Sequence, residues 1–112
     1  MDRLIDKKLC FLGCGNMGEA LVSGLVQSGS AGPANIICTD VREERLEELR
    51  TRYGVRTTHS NAEAVAQSEV VIYAVKPQLM AEVLKETADQ LDMSKLVISI
   101  AAGVPLRAIE SL

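Results

Sequence analysis

The stretch Leu9-Cys10-Phe11-Leu12-Gly13-Cys14-Gly15-Asn16-Met17-Gly18 decides the fold. Its first four residues are apolar, as in a strand covered on both faces. The next six match G-x-G-x-x-G, and Asn16–Ser28 carries Met17, Leu21 and Leu25 at helical spacing. Strand, glycine turn and helix form the context in which this motif holds the diphosphate of a dinucleotide. Gly13 would permit the tight turn, Gly15 would leave the backbone bare for a pyrophosphate, and Gly18 would let helix and strand pack closely. Amides at the helix start then face the anion, aided by the helix dipole. The alternative is a tight structural turn without a ligand.

Working outward, Gly29 stops the first helix, and residues 36–40 form a second apolar strand entered from Gly32-Pro33. Residues 42–53 repeat the helical pattern with Leu46, Leu49 and Tyr53 inward, up to Gly54. Glu48 and Arg52 on its solvated face are spaced for an i,i+4 ion pair. Residues 55–57 suit a short third strand, and Ser60 with Glu63 has capping-box spacing. Residues 70–75 are consecutively apolar, a fourth strand. Pro77 suits the first turn of a helix carrying Leu79, Val83, Leu84 and Leu91. Residues 96–100 make a fifth strand, and 105–112 read as a helix cut short. Strands alternating with helices predict an α/β fold: a Rossmann-type, doubly wound parallel sheet of order 3-2-1-4-5. With 112 residues and no repeat or linker, the chain reads as a single domain.

Composition removes several function classes. Apolar residues make up 47%, yet the aromatics are only Phe11, Tyr53 and Tyr73, so aliphatic side chains must build the core. A net charge of -3 gives no basic footprint for nucleic acid. No apolar run approaches the roughly 18 residues of a membrane span, and the N-terminus lacks the apolar region of a signal peptide. Cys10, Cys14 and Cys38 are odd in number and lack metal-ligand spacing, which fits inert packing in a reducing cytoplasm.

Asp40 ends the second strand about 20 residues beyond the turn, where a carboxylate accepts ribose hydroxyls and favours NAD. Arg42 could instead hold the 2′-phosphate of NADP, with Thr39 adding a hydroxyl. Both readings stay open, as does a plain one in which Asp40 caps a helix and Arg42 is solvated. Lys76 is either a proton donor, a substrate-facing charge or a solvated lysine at a strand end. His59, in a polar loop, reads as surface. No catalytic residue and no metal-ligand set emerges.

Three segments carry a family resemblance: Phe11 through Ala20, Ala74-Val75-Lys76-Pro77-Gln78, and Ser99-Ile100-Ala101-Ala102-Gly103-Val104. Together they resemble the N-terminal dinucleotide-binding domain of the pyrroline-5-carboxylate reductases. The resemblance implies an oxidoreductase in which NADPH or NADH reduces a cyclic imine to L-proline, the last step of proline biosynthesis. It places Gly13, Gly15, Asn16 and Met17 at the pyrophosphate, with Leu12 and Cys14 also counted among the cofactor-binding residues, and Asn61 near the adenosine. Ala74, Val75, Lys76 and Pro77 would border the cofactor, and Ala101, Ala102 and Gly103 would lie towards the nicotinamide. The family continues into a helical domain that forms its dimer and most of its imine site. Residues 1–112 are therefore expected to be the NAD(P)-binding half of a cytoplasmic homo-oligomer. Its partner would be a small imine, with no nucleic acid or membrane. Another dehydrogenase or imine reductase of this fold, or a non-catalytic nucleotide-binding module, remains the alternative.

Overall fold

In the computed structural model, which describes residues 7–100, every residue of the first strand, β1 (Leu9–Leu12), is buried. Successive side chains of a strand point to opposite faces, and here both faces are covered. Leu9 and Phe11 join Val22, Leu49 and Ile72 in one core; Cys10 and Leu12 join Val65, Tyr73 and Leu84 in the other. That double cover is why the strand is apolar throughout instead of alternating. Each fully buried Leu, Ile or Phe contributes roughly 1.5–3 kcal/mol.

Four more strands follow: β2 (Ile36–Thr39), β3 (Arg56–Thr58), β4 (Val70–Tyr73) and β5 (Leu96–Ser99). All pair in parallel in the order β3-β2-β1-β4-β5, as the alternating pattern predicts. Leu9 stands opposite Ile36 on one side and Val70 on the other, so β1 is central. The chain steps outward from β1 to β3, then returns to the far side at β4. The crevice of such a sheet opens where this reversal occurs, at the carboxyl ends of β1 and β4. The helices α1 (Asn16–Ser28) and α2 (Glu43–Tyr53) supply Val22 and Leu49 to one core. On the opposite face, α3 (Asn61–Ala66) and α4 (Met80–Thr87) supply Val65 and Leu84.

Details depart from the sequence pattern for identifiable reasons. The strands stop one or two residues short of their apolar runs where the chain bends into the crevice, and β3 sits one residue later than expected. α1 meets the sheet through Gly18 and Val22, with Leu25 and Val26 partly buried. Met17 (61% exposed) and Leu21 stay in solvent. Gly18 has no side chain to hold the helix off, which rotates the contact line by one residue. The helix expected from Pro77 to Leu91 is broken into a 3-10 turn (Pro77–Leu79), α4 and a second 3-10 turn (Ala88–Gln90). Only half of the capping box forms: Ser60 Oγ accepts the Glu63 amide at 3.1 Å. The Ser60 amide donates to Thr58 Oγ1 instead, freeing Glu63 for Gln67. Glu48 pairs with Arg45, and Arg52 with Glu19, so the expected Glu48–Arg52 pair is replaced by a tie between helices. Ala101, Ala102, Gly103 and the stub at 105–112 lie outside the described residues. Among those described, no helix is long and apolar enough to cross a membrane.

Candidate functional site

The glycine turn is shaped by its neighbours. Gly13 has φ 71°, and a Cβ there would come within 2.3 Å of Val75 Cγ1. Any side chain is thus excluded twice, by backbone strain and by β4's continuation. The end of β2 holds the turn from one side: the Gly13 amide donates to Thr39 Oγ1 at 3.1 Å, and the Cys14 amide to the Thr39 carbonyl at 3.0 Å. Gly15 is the N-cap of α1, where no side chain caps the helix, and a Cβ at Gly15 would meet nothing within 4 Å. A Cβ at Gly18 would approach Cys14 Sγ to 3.0 Å and the Ala74 Cβ to 3.5 Å, so that glycine keeps α1 tight against the turn. Cys14 faces inward against Cys38. Their thiol contact and burial push Cys38 well above its ordinary range, so it stays a protonated packing group. Cys10 is raised to about 11, chiefly by burial.

The turn opens on a cavity of about 470 Å³ at the carboxyl ends of the strands. Of the residues singled out in the sequence, Gly13, Gly15, Asp40, Arg42, Asn61, Ala74, Val75 and Lys76 line it together. Leu12 and Cys14 are buried behind the turn; Asn16 and Met17 are exposed in the first turn of α1, and Pro77 is exposed just beyond Lys76. Ala101, Ala102 and Gly103 are not among the described residues. His59, read as surface, is exposed and also borders the cavity. Its Nδ1 lies 3.0 Å from the Asp40 carbonyl and its Nε2 2.6 Å from Glu43 Oε2.

Asp40 and Arg42, alternatives in the sequence, are partners in the structure. The guanidinium donates to both carboxylate oxygens, at 3.0 and 3.1 Å, and the Arg42 amide adds a third bond at 2.8 Å. Burial works against ionisation of Asp40, but these bonds outweigh it and hold its carboxyl below the ordinary value. Thr39 also lines the cavity, with its hydroxyl already bonded within the protein. It is buried and donates to Asn61 Oδ1 at 2.5 Å, while Asn61 Nδ2 donates to Glu86 Oε2 at 3.0 Å. A chain of bonds thus runs from the Gly13 amide through β2 and α3 to α4.

Sequence reasoning missed the far wall, which is Leu79 with Glu82, Val83 and Glu86. The i,i+4 repeat of those residues marks one stripe, but only tertiary placement tells which way it faces. Val41, 92% exposed beside Asp40, was missed too, although a solvated valine between two charged residues is a signal. Arg45 left no trace in the pattern. From α2 it donates Nε to the Cys14 carbonyl and Nη2 to the Gly15 carbonyl, each at 3.2 Å, and its Nη1 meets Glu19 Oε1 at 2.6 Å. Glu19 also accepts from Tyr53 Oη at 2.6 Å and Arg52 Nη1 at 2.9 Å. The tyrosine bond foremost, against the opposing effect of burial, and then both arginines lower its carboxyl to about 2.

Known proteins resemble this chain in sequence and in fold. A pyrroline-5-carboxylate reductase of Methanosarcina acetivorans is 43% identical over 105 residues, covering 94% of this chain and 39% of that protein. The structure of a pyrroline-5-carboxylate reductase from Coxiella burnetii superposes with a TM-score of 0.87 at 35% identity, over 94% of this chain and 39% of that one. The Plasmodium falciparum pyrroline carboxylate reductase with NADP bound superposes with a TM-score of 0.82 at 27% identity, over 96% and 38%. The chain therefore spans about two-fifths of the length of the relatives it matches. Residues 8–103 match the family described as NADP oxidoreductase coenzyme F420-dependent, and the protein belongs to that family.

Proposed function

We propose that this chain is the NAD(P)-binding portion of a pyrroline-5-carboxylate reductase. The observation that carries the reading is the open glycine turn: Gly15 begins α1 with no side-chain cap and with free space where a Cβ would project. Helix-start amides without a side-chain acceptor, beside bare backbone, suit a pyrophosphate. Asp40 and Asn61 border the same cavity on the side of β2 and α3, suited to ribose hydroxyls. Val41, Leu79 and Val83 offer apolar surface there for a flat base. Ala74, Val75 and Lys76 continue the groove past the turn. When bound, the reduced dinucleotide supplies a hydride to the carbon of a C=N bond, and a proton goes to the nitrogen. The chain's own contribution is to bind and orient that donor. Identity of 43% to a named reductase supports the cyclic imine as substrate. The reading includes a cytoplasmic homo-oligomer assembled through the part of the enzyme that lies beyond the match.

Gly15→Val tests it. Gly15 has φ -83°, which valine accepts, and the new side chain meets no protein atom at its Cβ. The variant should therefore fold normally while blocking the anion. Titration calorimetry is expected to show NADH and NADPH binding weakened at least tenfold, about 1.4 kcal/mol. Wild-type affinity in the folded variant would remove the glycine turn from the binding site.

A further inference from the structure

Arg45 lies outside the cavity lining, on α2, with 11% of its side chain exposed. One guanidinium grips two successive carbonyls of the turn, Cys14 and Gly15, and also the Glu19 carboxylate in the first turn of α1. In a trans peptide the carbonyl and the amide of the same plane point in opposite directions. Holding the Cys14 carbonyl holds the plane of the Gly15 amide, which donates to the Gly13 carbonyl at 2.8 Å; the Gly15 carbonyl, shared by Arg45 with the Glu19 amide at 2.8 Å, sets the direction of the Asn16 amide. Glycine flanks these planes and makes rotation of a peptide plane cheap. A rotated plane would aim a carbonyl oxygen at the space a phosphate needs. A planar fork with fixed donor directions resists that rotation, whereas a lysine ammonium supplies charge without the fork.

We propose that Arg45 is a positioning residue for the cofactor pyrophosphate, acting through the Cys14 and Gly15 carbonyls to hold the glycine turn in its anion-accepting form. The proposal rests on the reading above, that this cavity takes a dinucleotide. Arg52 provides the control. It pairs with the other Glu19 oxygen, at 2.9 Å, and makes no hydrogen bond to the turn.

The test titrates NADH and, separately, adenosine into the full chain and into Arg45→Lys, Arg45→Met and Arg52→Ala. Circular dichroism verifies folding, and NMR follows amide exchange at residues 15–17. Both Arg45 variants are expected to bind NADH about tenfold more weakly. Their adenosine affinity should stay within about twofold of wild type, because one lost positioning contact acts at the phosphates and not at the base. Exchange at residues 15–17 should accelerate in the Arg45 variants alone. Arg52→Ala should lose thermal stability and keep its NADH affinity. Undiminished NADH binding by folded Arg45→Lys overturns the proposal, and so does equal weakening of NADH and adenosine. Failure of the wild-type chain to bind NADH overturns the underlying reading instead.

Discussion

Asp40 reaches the cavity with 8% of its side chain exposed, and Arg42 occupies both of its carboxylate oxygens. A 2′-phosphate on the ribose would lie beside the carboxylate as well as the arginine, which commits two of its five N–H groups to that carboxylate. Like charges about 4 Å apart cost about 1 kcal/mol in water and more near a protein surface. Asp40→Ala should remove that repulsion and release Arg42, raising the ratio of NADPH to NADH affinity about tenfold or more. Adding Arg42→Ala to that background should reverse most of the gain. Competitive titration of the two cofactors measures the ratio; no change in Asp40→Ala would show that the carboxylate does not face the ribose. The position of Asp40 was legible because a strand end after a glycine turn has few places to go. Its pairing was not, since two residues apart in a bend leaves many side-chain rotamers open. Gly13 and Gly18 were legible for the same local reason: a positive φ and a close helix contact both select glycine. Arg45 was hidden because its partners lie about 30 residues earlier and are backbone atoms, which leave no residue-type signal.

At the level of elements, β1, β2 and β4 could be read because each is a buried run with helices over both faces. The edge strands differ: β3 is the polar Arg56–Thr58, and in β5 Leu96 and Ile98 remain exposed on one face. The helical faces were harder to read. Leucine and methionine spacing suggested one stripe for α1, but the missing side chain of Gly18 decides which stripe touches the sheet. The α4 wall of the crevice depends on how that helix docks, and its hydrophobic spacing fixes only the side turned to the core. That docking has a polar latch. Tyr73 on β4 is fully buried, and its hydroxyl lies 2.7 Å from Thr87 Oγ1 at the end of α4. Thr87 also donates to the Val83 carbonyl at 2.9 Å, so the hydroxyl pair is satisfied internally. The two ends of the latch are unequal. Tyr73→Phe leaves Thr87 its bond to Val83 and should cost about 0.5–1.5 kcal/mol. Thr87→Val keeps the shape but strands the buried tyrosine hydroxyl, and should cost about 1–3 kcal/mol. Urea unfolding of the two variants compares them directly. A larger loss in Tyr73→Phe would mean that the tyrosine hydroxyl has a second partner.

For the whole molecule, the proposed cofactor cavity has to be weighed against what an imine substrate would need beside it. The cavity is bounded by strand ends, the glycine turn and the wall formed by Leu79, Glu82, Val83 and Glu86. Its charged lining consists of Asp40, Arg42, Lys76, Glu82 and Glu86, of which Asp40 and Arg42 neutralise each other. On the proposed reading, the carboxylate of a cyclic imino acid would meet only Lys76 as an uncommitted cation among the described lining residues, and Lys76 is exposed. Hydride transfer needs the imine carbon held within about 3–3.5 Å of the donor, and such positioning can supply roughly 7–11 kcal/mol of the barrier. An exposed lysine on a flexible stem cannot provide it, nor can it exclude water. The relatives are about two and a half times as long as this chain, since it covers 39% of the Methanosarcina acetivorans protein. We place a second wall for the imine in that additional length. Residues 1–112 alone should therefore bind NADH yet oxidise it with pyrroline-5-carboxylate no faster than buffer does. Addition of the remaining length of a relative, fused in frame, should restore turnover. The measurement is NADH absorbance with and without the imine. Saturable turnover by the short chain, abolished by Gly15→Val, would mean that one wall suffices and that the imine is gripped by groups already in this sequence, with Lys76 the first to replace.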